Sequence, residues 1–142
     1  MRFRRVIPVL WAALLVLAIA SPVAAAAEPV TIDLHVDFAS GETFTAEGFG
    51  PSGTAESFGH LIVGAGRATT FHLFKTLTCD DGSGTLTIRV DAAGVFGFPG
   101  TIGGWNVVAG TGDYTATRGG GNIVGIGFDG GIDDHYTGRL TQ

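Results

Sequence analysis

The sequence predicts an all-β domain: a single antiparallel up-and-down β-barrel of about eight strands over residues 28–142, preceded by a cleaved signal peptide over residues 1–27. Three observations carry this expectation. Apolar and polar residues alternate with a period of two in run after run. Clusters of glycine, proline, serine and aspartate punctuate those runs at short intervals. No segment after residue 27 carries an apolar stripe at the 3.6-residue helical period, so there is no room for crossover helices.

The leader is read first, because it has to be set aside before any fold reasoning. Arg2, Arg4 and Arg5 form a positive start, Val6 to Ala20 is an almost unbroken apolar run, and Ser21-Pro22 breaks it before the small residues of "VAAAA". That order predicts export and cleavage after Ala26 or Ala27, and hence a secreted or cell-envelope location. An uncleaved anchor is the rival reading, since the run approaches the roughly 20 residues that span a bilayer; Pro22 and the small-residue tail favour cleavage.

The strands follow in order. In "TIDLHVDF", Ile32, Leu34, Val36 and Phe38 alternate with Thr31, Asp33, His35 and Asp37. "GETFTAEGF" is a shorter run of the same kind. "RATTFHLFKTLTC" places Phe71, Leu73, Leu77 and Cys79 on one side, with Lys75 the one residue out of character there. "TLTIRVD" sets Leu86, Ile88 and Val90 against Thr85, Thr87, Arg89 and Asp91. "WNVVAG", "NIVGIGFD" and "DHYTGRL" supply strands toward the C-terminus. Counting these runs gives seven to nine strands, and closing them into a barrel removes exposed edges. A sandwich is the alternative.

Composition narrows the function classes. Residues 28–142 hold all 24 glycines and all 13 acidic residues against five basic ones, a net charge of −8. Nucleic acid and anionic membrane surfaces both require clustered positive charge, so neither is an expected partner. The single cysteine, Cys79, cannot form an intramolecular disulfide. It reads as a half-buried small hydrophobe on a strand, with an intermolecular disulfide or a reactive thiol as the sharper alternatives.

"GTGDYTATRGGG", Gly110 to Gly121, packs five glycines around one tyrosine and one arginine. It lacks the Gly-Lys-Ser/Thr ending of a phosphate-binding loop and the third glycine of a dinucleotide fingerprint. No cofactor is expected. The glycines are read instead as turn and bend positions of a tightly wound barrel, and Gly125 and Gly127 in "IVGIGF" as places where a side chain or ligand approaches the backbone closely.

"GGWNVVAGTGDYTATRGGGNIVG", followed by "DDHYTGRL" and preceded by "CDDGSGTLTIRV", resembles bacterial secreted proteins with an allene oxide cyclase barrel-like domain, related to plant allene oxide cyclases and dirigent proteins. The likeness covers about residues 75–142. It implies an eight-stranded barrel with an apolar interior that holds a hydrophobic molecule and controls its ring closure or coupling, and it implies a trimer. No catalytic residue is carried across, so whether the chain is an enzyme stays open.

Candidate ligand contacts are Tyr114, Trp105, Phe44, Phe71, Phe96, Phe98, Phe128 and Arg118, each with a structural alternative. The phenylalanines can line a cavity or fill a core. Tyr114 can pack under its glycine loop, Trp105 can cap the core, and Arg118 can hold a carboxylate or stay solvated. Asp33, His35 and Asp37 form a polar row expected to face solvent. Asp80-Asp81 and Asp133-Asp134-His135 are read as acidic turn residues, and His35, His60, His72 and His135 have no zinc spacing. No metal is expected. The leading functional reading is a secreted barrel binding a small hydrophobic molecule, with isomerase or cyclase-type activity open. The alternative is a non-enzymatic interaction module with a packed interior, using loops 50–57 and 110–121.

Overall fold

The computed structural model describes residues 25–65, 68–95 and 99–142. The leader, together with Phe96 and Phe98, therefore lies outside the described residues. Eight antiparallel strands follow in chain order: β1 Glu28–Asp37, β2 Gly41–Glu47, β3 Ser52–Ala65, β4 Ala68–Cys79, β5 Thr85–Val95, β6 Gly100–Gly110, β7 Arg118–Phe128 and β8 Gly131–Thr141. Each pairs with the next, and β8 returns to pair with β1, so the sheet closes into an up-and-down barrel.

Period two does the sorting. Val30, Ile32, Leu34 and Val36 of β1, Leu77 of β4, and Leu86, Ile88 and Val90 of β5 all point inward and are buried. Burying one such side chain contributes about 1.5–3 kcal/mol. One end of the barrel is plugged: Phe49 stacks near Phe44 and packs on Tyr114 at a ring distance of 4.6 Å, while Cys79 and Leu140 fill in beside them. The chain from Thr111 to Thr117, with a 3-10 turn at Gly112–Tyr114, folds over that end and bonds Ser83 and Thr85 through its backbone.

Two sequence expectations are corrected. Of the two expected surface loops, 110–121 gives its last four residues to β7, and residues 52–57 are strand, the first half of β3. Their inward positions are Gly53, Ala55 and Ser57, too small and polar to register as an apolar face. Asp134 is likewise not a turn residue: β8 carries Ile132, Asp134, Tyr136 and Leu140 on its inner face, and Asp133 and His135 outside.

One facing pair of glycines on β7 and β8 makes room for a large side chain. Trp105 on β6 lies opposite Gly121 and reaches across to β8, where its indole N–H donates to the Thr137 carbonyl at 3.2 Å. Gly121 and Gly138 face each other beneath it, and a Cβ at Gly138 would sit 2.9 Å from Trp105 Cζ2. Glycine makes the floor on which the indole lies. Glycine at these two positions therefore answers a packing demand.

Candidate functional site

Above the plugged half, the barrel interior opens into a cavity of about 490 Å³. Val36, Ile62, Phe71, Leu73, Val90 and Ile132 give it an apolar wall, and Phe38 and His60 stand near its mouth. The mouth is lateral as well as axial. β2 pairs with β3 only between Ser52 and Ala55, whereas β3 runs on to Ala65 against β4. Beyond Ala55, β3 has no β2 neighbour, and its register against β4 shifts between Phe58 and Leu61.

Inside this apolar wall sits a polar cluster. Lys75 is the anomaly in the β4 pattern: it keeps the inward phase of Leu73 and Leu77, so a cation is carried into the barrel. Its Nζ donates to Glu42 Oε2 and to Ser57 Oγ, each at 2.7 Å, and the Lys75 and Glu42 side chains are only 5% and 13% exposed. Such a buried pair is tolerable only when its donors and acceptors are satisfied. Across the cavity, the Tyr136 hydroxyl donates to Asp134 Oδ2 at 3.2 Å. Burial pushes the Asp134 carboxyl above its ordinary range, with Glu42 and Asp133 adding to the rise and Lys75 and the Tyr136 bond opposing it. The Tyr136 hydroxyl is itself pushed well up, first by burial and then by Asp134.

Gly125 makes the room for Asp134. A Cβ there would collide with Asp134 Oδ1 and come within 2.7 Å of Thr101 Oγ1, so both oxygens converge on the space that glycine leaves open. The expectation of a close approach at Gly125 holds, and the approaching group is a carboxyl.

Asp134 also yields a pH prediction. Its folded-state pKa lies above the ordinary 3.8, so the folded state binds this proton more tightly than the unfolded chain does. The neutral form is the favoured one. Its stabilisation is complete below the ordinary value and is lost as pH rises toward the raised one. Asp134→Asn, which cannot ionise, is expected to melt level with wild type near pH 3 and several degrees above it at pH 7. Thermal melts of both proteins across that range check this; a constant offset would contradict it.

The candidate residues separate cleanly. Phe71 lines the cavity. Phe44, Trp105 and Tyr114 are buried in the core or plug below it; the Tyr114 hydroxyl meets Ser83 Oγ at 3.0 Å. Phe128 faces outward and stacks on His35 at 5.0 Å, because the inward phase of β7 belongs to Ile123, Gly125 and Gly127. Arg118 lies at the plugged end and donates to the Thr117 carbonyl. Glu42, Ser57, Thr101 and Tyr136 were not singled out from the sequence, Asp134 was named only among acidic turn residues, and Lys75 was noted only as an irregularity. The signal for Asp134 was its phase with Tyr136 and Leu140.

Cys79 is 5% exposed, with its sulfur against Gly50 and near the Tyr114 hydroxyl. Ellman's reagent is expected to leave it unmodified in the native protein and to titrate it fully in denaturant, with no disulfide dimer on a non-reducing gel. Native-state labelling at the denatured rate would show the plugged end to be open.

A second polar group lies on the outer wall. Asp33 and His35 of β1 face His135 and Asp133 of β8, giving crossed imidazole–carboxylate contacts of 2.5 and 2.6 Å. They border a shallow groove of about 840 Å³. The polar row faces solvent as expected, and among the described residues no three histidine, cysteine or acidic side chains are grouped to hold a metal ion.

Fold and cavity together define a class: a closed eight-stranded β-barrel with a buried charged cluster in an apolar chamber. No family model matches the chain, and no curated protein or solved structure matches it.

Proposed function

We propose that this is a secreted barrel that binds a small hydrophobic molecule in its interior. The observation that supports it is the cavity of about 490 Å³, apolar along its wall and polar at one cluster. Ligand sites commonly combine an apolar lining with a few convergent polar groups that fix orientation. A barrel serving only as an interaction module needs no such space, since protein interiors otherwise pack to near-crystalline density. The resemblance to allene oxide cyclase-like proteins adds isomerase or cyclase-type chemistry as the reaction class to assay, with Asp134 and Lys75 beside the bound molecule.

Native mass spectrometry of protein purified from culture supernatant, without reductant, tests the reading. The expected result is an extra mass of a few hundred daltons that leaves on denaturation. A bare mass, together with no uptake of a neutral apolar dye, would count against it.

A second reading concerns partners. Ile102, Val124, Ile126 and Phe128 form an apolar strip on the outer wall of β6 and β7. The strip and the family resemblance together support a homo-oligomer, a trimer by that resemblance, and the same spectra report subunit number.

A further inference from the structure

We propose that Lys75 is a covalent binding site for small apolar aldehydes, which it captures as an imine whose charge is met by Glu42. This deepens the cavity-binding reading and rests on it.

Lys75 is the only lysine in the chain; the other basic residues are arginines. Among the described residues it is also the one buried basic side chain. For an ion pair alone arginine is the better residue, since its planar fork holds a carboxylate in two bonds and it keeps its proton. Lysine adds what arginine lacks, a nitrogen lone pair that becomes available once a neighbour takes one proton. Stability does not account for the residue either, because well-packed apolar side chains often replace a buried ion pair at no cost.

The strand register supplies both the neighbour and the approach. Glu42 is the second residue of β2, Ser57 stands opposite Lys75 on β3 just past the last β2–β3 pair, and all three line the cavity. The amine therefore lies beside the lateral mouth. Nζ has two partners among the described residues, Glu42 Oε2 and Ser57 Oγ, each at 2.7 Å. An ammonium carries three N–H donors, so one position on the nitrogen is uncommitted. An aldehyde presents the least hindered carbonyl to a nitrogen flanked in this way.

The step balances within the cluster. Glu42 Oε2 takes a proton from Nζ, and the freed lone pair adds to the aldehyde carbon as the C=O π bond opens onto oxygen. Ser57 Oγ passes a second proton from nitrogen to that oxygen, giving a carbinolamine. Glu42 returns its proton to the new hydroxyl, which leaves as water while the nitrogen lone pair forms C=N. An ammonium and a carboxylate enter; an iminium and a carboxylate remain. The buried charges stay paired from start to finish, so capture demands no charge the chamber does not already hold.

The test uses protein purified from culture supernatant, 6-methoxy-2-naphthaldehyde, and sodium cyanoborohydride to reduce the imine to a stable secondary amine. Peptide mapping by mass spectrometry separates an adduct on Lys75 from one on the N-terminal amine. The expected result is labelling of Lys75 about tenfold or more faster than that of Nα-acetyllysine amide, saturating with aldehyde concentration. Before reduction, a red-shifted protonated-imine absorption is expected, and Glu42→Gln is expected to lose that shift. Lys75→Arg is expected to take up the neutral dye N-phenyl-1-naphthylamine within a few-fold of wild type and to gain no adduct beyond the N-terminus. If the aldehyde displaces the dye yet Lys75 labels no faster than the free amino acid, or if the Glu42→Gln imine stays red-shifted, the inference falls and the cavity reading stands. If the folded barrel takes up neither dye nor aldehyde, both fall.

Discussion

Replacing Lys75 by methionine is expected to destabilise the barrel by about 3–5 kcal/mol, the usual cost of stripping one partner from a buried ion pair. The physical cause is the residue left behind. Glu42 keeps its charge inside the wall with its main donor gone, and the desolvation already incurred is no longer repaid by attraction. Domains of this size are stable by only about 5–15 kcal/mol, so the loss corresponds to a fall in Tm of roughly 10–25 °C. The paired variant Glu42→Gln/Lys75→Met removes both charges and is expected to recover most of it. Urea melts of the three proteins check the claim. Equal stability of the single and double variants would mean that Glu42 reaches water without help, and that the pair is not a buried one.

Gly138→Val is expected to be about as damaging, at roughly 3–5 kcal/mol, comparable to deleting a buried tryptophan side chain. A side chain at 138 takes the space of the Trp105 ring and presses on the Gly120 backbone. The indole then leaves the interior, and both its edge contact with Tyr136 at 6.2 Å and its bond to the Thr137 carbonyl are lost. In a chain beginning at Glu28, Trp105 is the sole tryptophan, so its emission reports the event directly. A red-shifted native spectrum with a lowered melting point is the expected outcome. An unshifted spectrum would show that the strand moves and the ring does not.

The barrel was legible in the sequence because most strands carry their apolar residues in strict alternation, which only a half-buried sheet accommodates. β1, β4 and β5 illustrate this directly. β3 was not legible: its inward residues Gly53, Ala55 and Ser57 face a space filled from the other side by Lys75 and Phe44. In β7 glycines take the inward positions on either side of Ile123 while Val124, Ile126 and Phe128 face out, and this is why Phe128 was misjudged as a cavity candidate. Lys75 was visible as a break in pattern, yet a break alone does not reveal its partner. Glu42 sits in a short polar-looking run. Asp134 stands beside a second aspartate, and only the phase carried by Tyr136 and Leu140 tells inner from outer. What the sequence could not supply was which strand neighbours which, and a cluster drawn from β2, β3, β4 and β8 depends on that.

The seam between β1 and β8 also constrains the order of events during biosynthesis. Glu28 registers with Leu140 and Asp37 with Gly131, so β1 gains its second neighbour only after the last strand has been made. Hairpins such as β4–β5 can zip locally within microseconds, whereas joining segments about a hundred residues apart carries a larger chain-closure entropy. A nascent chain of this topology is therefore a growing meander with two unsatisfied borders, and ring closure is its final, slowest step. Until then the buried ion pair has no sealed interior around it, so its cost and its ordering effect both arrive late in folding.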